Sequence, residues 1–146
     1  MAGALEAALL GIPAVAVSIR ATRGEYDFSY AARAAAAFAD AILQSPLPGR
    51  TFLNINVPSG TPKGFRVTVQ ATRNHITSVG ERHDPKGHAY FWIEEGQDEW
   101  QPHDRSDYQA VRDGYVSVTP LHPDLTAYNL LKAIEDLPVK NEAEVR

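Results

Sequence analysis

Cysteine is absent from the 146 residues. No disulfide framework, thiolate nucleophile or cysteine-ligated zinc site can be built, and the chain is compatible with a reducing compartment. Long apolar runs are missing too: the longest alanine-rich stretch is broken by Arg33 and Asp40, short of the roughly 18 to 20 residues that a helical membrane span needs. Positive charge is not in excess. With 14 Lys and Arg against 18 Asp and Glu, the net charge is -4, so nucleic acid polymers are not expected as partners. The opening Met1-Ala2-Gly3-Ala4-Leu5-Glu6 has no positively charged leader region, which predicts no export and a cytoplasmic protein. Glycine-rich loops of the G-x-x-x-x-G-K-[ST] or G-x-G-x-x-G kind do not occur, nor does a G-x-S-x-G elbow around Ser18 or Ser106. The usual motifs for phosphate cradling and for serine hydrolysis are therefore excluded.

What remains is an ordinary globular composition, 44% hydrophobic and 22% charged, which predicts a single core. Leu5, Leu9 and Leu10 fall at helical spacing among alanines, and Gly11-Ile12-Pro13 supplies the stop, so the chain is expected to open inside a helix. The β-branched apolar run from Pro13 to Ile19 reads as a central parallel strand covered on both faces. Tyr30, Ala31, Ala34, Ala35, Phe38 and Ile42 form one stripe of a long helix over 26–43, ended by Ser45-Pro46-Leu47-Pro48-Gly49. Leu53, Ile55 and Val57 alternate with Asn54 and Asn56, giving a strand with one polar face; Phe65, Val67 and Val69 alternate with Arg66, Thr68 and Gln70 to give another. Helix, strand, helix, strand is α/β order.

The next stretch is polar and aromatic. Asp84-Pro85-Lys86-Gly87 has type I turn residues, predicting a projecting β-hairpin over 72–93 whose arm Tyr90-Phe91-Trp92 needs a covering partner. Ser106-Asp107-Tyr108-Gln109 has capping-box spacing and Gly114 ends the short helix that follows. Residues 115–120 read as a strand. A last helix over 124–137 carries Ala127, Leu130, Leu131, Ile134 and Leu137 on one face, and the charged tail over 138–146 is expected to fray.

Candidate ligands are sparse. His75, His83, His88, His103 and His122 lack the paired helical spacing of a metal site, and Arg73, Arg82 and Lys86 read better as a solvated hairpin surface than as a phosphate grip. No metal ligand is assigned to this chain.

Three segments together resemble the SurE family: Gly3 through Ser18, Asn54-Ile55-Asn56-Val57-Pro58, and Ser106 through Leu121 with its long Gly-Tyr-Val-Ser-Val-Thr-Pro-Leu run. The likeness covers Gly3 to Leu137 and is to the C-terminal half of that family, so 1–137 is expected to be the C-terminal portion of a SurE-like phosphatase domain. It implies a Rossmann-like α/β fold and a divalent-metal-dependent 5'/3'-nucleotidase that hydrolyses nucleoside monophosphates. The resemblance also implies Mg²⁺ or Mn²⁺ held by two aspartates, a serine and an asparagine of the half that carries the family's Asn-Asp-Asp-Gly, Ser-Gly-x-Asn-x-Gly and Ser-Gly-Thr segments. None of these occurs in this sequence, so no cofactor is expected on its own residues and the chain is expected to be inactive alone. Ser106 and Asp107 match a family pair expected nearest the substrate pocket. The hairpin and C-terminal segment imply a homodimer or homotetramer. A non-catalytic oligomerisation module is the competing reading, and a small-molecule binder without chemistry the third.

Overall fold

The structure is a computed structural model that describes residues 1–20 and 26–139; the tail expected to fray lies outside the described residues from 140 onward. The opening helix α1 (Ala2–Leu9) ends because Gly11 takes φ 76°, which lets the amides of Gly11 and Ile12 reach back to the carbonyls of Ala8 and Ala7 at 3.0 and 2.9 Å. Strand β1 (Val15–Ile19) follows, then helix α2 (Ser29–Gln44), whose first turn is tied by the Ser29 amide donating to Asp27 Oδ1 at 2.8 Å. Strands β2 (Phe52–Val57), β3 (Phe65–Val67) and β6 (Val116–Leu121) complete a four-stranded sheet in the order β1-β2-β6-β3. The pairings β1·β2 and β3·β6 are parallel and β2·β6 is antiparallel, so the sheet is mixed.

The two-residue period of the strands sorts side chains onto two unlike faces. Leu53, Ile55 and Val57 join Val116, Val118 and the α2 residues Ala31 and Ile42 in the main core, with Ile55 wholly buried. On the other face α1 presses Ala4 and Ala8 onto Phe52, and helix α3 (Asp107–Arg112) covers the strands beyond it. Asn54 and Asn56 belong to this second face because they alternate with the core residues of β2.

One expectation is corrected here. The Pro13–Ile19 run, read as a central strand, is an edge: among the described residues β1 pairs with β2 alone. The expected cover on both faces is present, supplied by α1 on one side and α2 on the other.

The aromatic stretch forms a separate two-stranded ribbon, β4 (Arg73–His83) and β5 (Ala89–Trp100), longer than the hairpin over 72–93 that the turn signals delimited. Asp84 closes its turn by accepting the amides of Lys86 and His88 at 2.8 and 2.9 Å, which hold its carboxyl below the usual range, chiefly through His88. The Gln101 amide donates to the Thr72 carbonyl at 3.1 Å, so the ribbon leaves and re-enters the body at one point. At the C-terminus the expected helix over 124–137 is reduced to a 3₁₀ turn (Tyr128–Leu130) and α4 (Leu131–Glu135). Asp124 does not start a helix; its carboxylate accepts the Thr126 amide and the Tyr128 hydroxyl in a local turn. Among the described residues no helix is long and apolar enough to cross a membrane.

Candidate functional site

In open α/β sheets ligands settle outside the carboxyl ends of the parallel strands. The carboxyl ends of β1 and β2 carry Ser18 and Asn56, paired in register, on the face shared with α1 and α3. A cavity of about 520 Å³ opens there, floored by Ala16, Ser18, Asn54 and Asn56 and walled on the α3 side by Asp107, Tyr108, Val111 and Arg112. Because α1 runs back against β1, the residue that precedes it, Met1, reaches the same cavity.

The floor is a hydrogen-bonded belt across three strands. Ser18 Oγ donates to Asn56 Oδ1 at 2.6 Å, and Asn56 Nδ2 donates to Ser117 Oγ at 3.3 Å. Ser117 is wholly buried, so this bond meets the requirement that a polar group removed from water find a partner. One pleat further down, Thr119 is also buried and pairs with Thr68 at 2.8 Å. No wholly buried polar side-chain atom is left without a partner among the described residues. The polar residues that alternation marked only as a wetter strand face are thus the floor of a site.

The two residues taken from the family pair part company in the structure. Ser106 is 2% exposed, and its Oγ accepts the Gln109 amide at 3.1 Å as the cap of α3. The return half of the capping box is not made: the Gln109 side chain donates to Asp113 Oδ1 at 2.8 Å. Asp107 lines the cavity, but its Oδ1 accepts the amides of Ala71 and Tyr108 at 3.0 and 2.7 Å, so this carboxylate also ties α3 to the chain beyond β3. Arg66 and Gln109 together hold the Asp113 carboxyl below its usual range, Gln109 first, and the Arg66 guanidinium lies 3.8 Å over the Tyr115 ring. That cluster fastens β3 to the end of α3 and does not line the cavity.

The donor chemistry decides the metal question for these residues. A divalent cation of the Mg²⁺ or Mn²⁺ kind takes several clustered oxygen ligands. Among the described residues no three of His, Asp and Glu come together, and Asp107 is the one carboxylate lining the cavity. The set does not fit such an ion. Three of the histidines are engaged locally: His88 Nδ1 lies 3.1 Å from Asp84 Oδ2, His83 Nε2 lies 3.8 Å from Glu81, and His103 Nδ1 accepts the Arg105 amide at 3.2 Å. Lys86 and Arg82 stand on the hairpin, away from the cavity, and the side chains of Arg73 and His75 lie outside the described residues. Arg20 and Arg112 also line the cavity, so its border combines two asparagines, a serine, one carboxylate and two arginines.

Comparison with known proteins follows the same line. The family described as Survival protein SurE matches residues 1–77. A protein of Syntrophotalea carbinolica named 5'-nucleotidase SurE is 39% identical over 132 residues, covering 90% of this chain and 53% of its own length. The 5'-nucleotidase SurE 1 of Thermus thermophilus is 44% identical over 137 residues, covering 94% of this chain and 54% of itself. The crystal structure of the SurE protein from Aquifex aeolicus superposes with a TM-score of 0.72 at 36% identity, over 92% of this chain and 55% of that one. The chain spans about half the length of the curated relatives it matches. With the family matched across more than half of its residues, a mixed α/β sheet shared with a solved member, and three characteristic segments in order, the chain belongs to the SurE family and corresponds to its C-terminal half.

Proposed function

We propose that this chain is the C-terminal portion of a divalent-metal-dependent 5'/3'-nucleotidase that releases phosphate from nucleoside monophosphates, and that alone it is inactive. The observation that carries the reading is the cavity at the carboxyl ends of β1 and β2 in a chain whose relatives are named 5'-nucleotidase. Those relatives are about twice its length, and the open edge of β1 offers a place for further strands to pair. In this reading the cation, Mg²⁺ or Mn²⁺, is held outside the present residues. Their share of the work is to bind and orient: the belt from Ser18 through Asn56 to Ser117 fixes the floor, and Asp107 braces α3 at the pocket wall. Ser106 contributes through the cap it makes, so Asp107 is the member of the pair closer to substrate.

Two measurements test this. The purified 146-residue chain is expected to release no phosphate from AMP with Mg²⁺ or Mn²⁺ present; metal-dependent release would overturn the claim of inactivity. A chimera in which this chain replaces the matching segment of the Thermus thermophilus relative is expected to hydrolyse nucleoside monophosphates. A folded chimera without that activity would overturn the nucleotidase reading.

The competing reading, an oligomerisation module, is favoured by a separate observation. Val79, Phe91 and Ile93 share one face of the hairpin and are between 64% and 69% exposed, while Trp92 on the other face is 58% exposed, more apolar surface than a lone ribbon leaves to water without reason. We propose that the hairpin adds a homodimer or homotetramer interface to the same protein. Excising residues 73–100 and joining Thr72 to Gln101 by a short Gly-Ser link should leave the body folded and lower the number of subunits seen by light scattering; an unchanged number would overturn it.

A further inference from the structure

Asn54 and Asn56 stand two residues apart on one face of β2, yet their side chains differ in what they have to bond. Asn56 is committed at both ends, its oxygen to Ser18 and its nitrogen to Ser117. The neighbour that could have engaged Asn54 is Thr119, which pairs with it in register, and Thr119 is taken by Thr68. The carboxamide of Asn54 therefore has no hydrogen-bond partner among the described residues, although the residue is half-buried and lines the cavity. Its polar atoms are open to the cavity, since no wholly buried polar side-chain atom lacks a partner. Keeping an unpaired amide in a half-buried wall costs stability unless water or a ligand supplies the bonds.

A primary carboxamide presents a donor beside an acceptor, and what complements it is an edge that offers an acceptor beside a donor. A phosphate offers acceptors alone and favours cations and N–H groups. A nucleobase edge offers both, and the asparagine amide is the side chain whose geometry matches an adenine edge bidentately. The surroundings suit the rest of a nucleoside. The cavity, about 520 Å³, falls within the range of about 300 to 1,000 Å³ common for small-molecule sites. Val111 gives an apolar wall, and the Arg112 guanidinium lies 5.6 Å from the Tyr108 ring centre, two flat groups of the kind on which bases stack.

We propose that Asn54 is the base-reading residue of a nucleoside subsite in this cavity, an assignment that rests on the nucleotidase reading and adds where the base of the substrate is held. Ser18 and Asn56 are positioning residues: by binding each other and Ser117 they leave Asn54 as the free amide of the floor.

The test uses the 146-residue chain labelled with ¹⁵N and titrated with adenosine, which has the base and sugar but no phosphate. The side-chain NH₂ signals of Asn54 are expected to move with added adenosine while those of Asn56, already bonded, move far less, and inorganic phosphate should leave both in place. Asn54→Ala, checked for an intact backbone amide spectrum, should weaken adenosine binding by about tenfold; Asn54→Asp, which keeps the shape and loses the donor, serves if alanine disturbs the fold. An Asn54 signal that stays still at saturating adenosine, or an equal response to inorganic phosphate, would overturn the assignment. Failure of the nucleotidase reading would show elsewhere, as a folded chimera that releases no phosphate.

Discussion

The sheet body and the hairpin ribbon both carry runs of apolar strand residues and treat them in opposite ways. In β2 the apolar residues meet a helix, and Ile55 and Val57 are at most 1% exposed; in β5 the aromatic run meets water, and Phe91 is 68% exposed. The body is held by contacts between segments distant in sequence, whereas β4 and β5 contact mainly each other. The ribbon keeps its shape by a local ladder and a tight turn. Apolar content therefore does not decide burial here; whether a second layer is present does.

That contrast can be broken by substitution. The largest effect is expected from Ile55→Ala, about 2 to 5 kcal/mol of stability, because a wholly buried side chain leaves a cavity between β2 and α2; chemical denaturation measures it. Next comes Gly114→Ala. Its φ of 86° disfavours any side chain, and a Cβ would sit 3.3 Å from the Lys63 stem, so a loss of about 1 to 2 kcal/mol is expected by the same measurement. Ser106→Ala should cost about 1 kcal/mol by removing the α3 cap, with Ser106→Asp restoring most of it. Ile93→Ala in the ribbon should stay within about 0.5 kcal/mol for the isolated subunit, and a larger loss that depends on protein concentration would move the ribbon from exposed surface to interface.

The smallest effect is a matter of pH. Bonds from Thr126 and then Tyr128 hold the Asp124 carboxyl down to about 2 from an ordinary 3.8. A depressed carboxyl stabilises its turn above the ordinary value and loses that contribution as pH falls through the lowered one. The turn at 124–128 should therefore loosen between pH 4 and pH 2, in step with the Asp124 carboxyl signal in NMR titration. A titration midpoint near 4 would remove the local tether.

Much of the fold was legible in the residues because local rules govern it. Gly11 and Gly114 mark helix ends by needing positive φ, Asp84 through Gly87 make the turn their types prefer, and alternation in β2 separates core from polar face. Three things were not legible. An apolar run reports cover on both faces and not how many strands lie alongside, so the expectation of a central strand differs from the place of β1 at the sheet edge among the described residues. The stripe over 124–137 has helical spacing, but Asp124 binds its own turn and the stripe has no surface to pack on, which leaves α4 five residues long. The site is legible only in part: capping-box spacing marks Ser106 as the cap the structure shows, whereas the place of Asp107 on the cavity wall depends on how α3 packs over β2 and β6.

By itself, then, the order of residues determined the family, the α/β succession, the turn positions and the absence of a cysteine or phosphate-loop chemistry, since each depends on neighbours within a few positions or on a residue type being present at all. The tertiary structure alone decided which of the two asparagines on the cavity floor has both polar atoms bonded and which has neither. That outcome depends on Ser18, Ser117, Thr119 and Thr68, carried by three different segments, and only the pairing of β1, β2, β6 and β3 brings them across from one another.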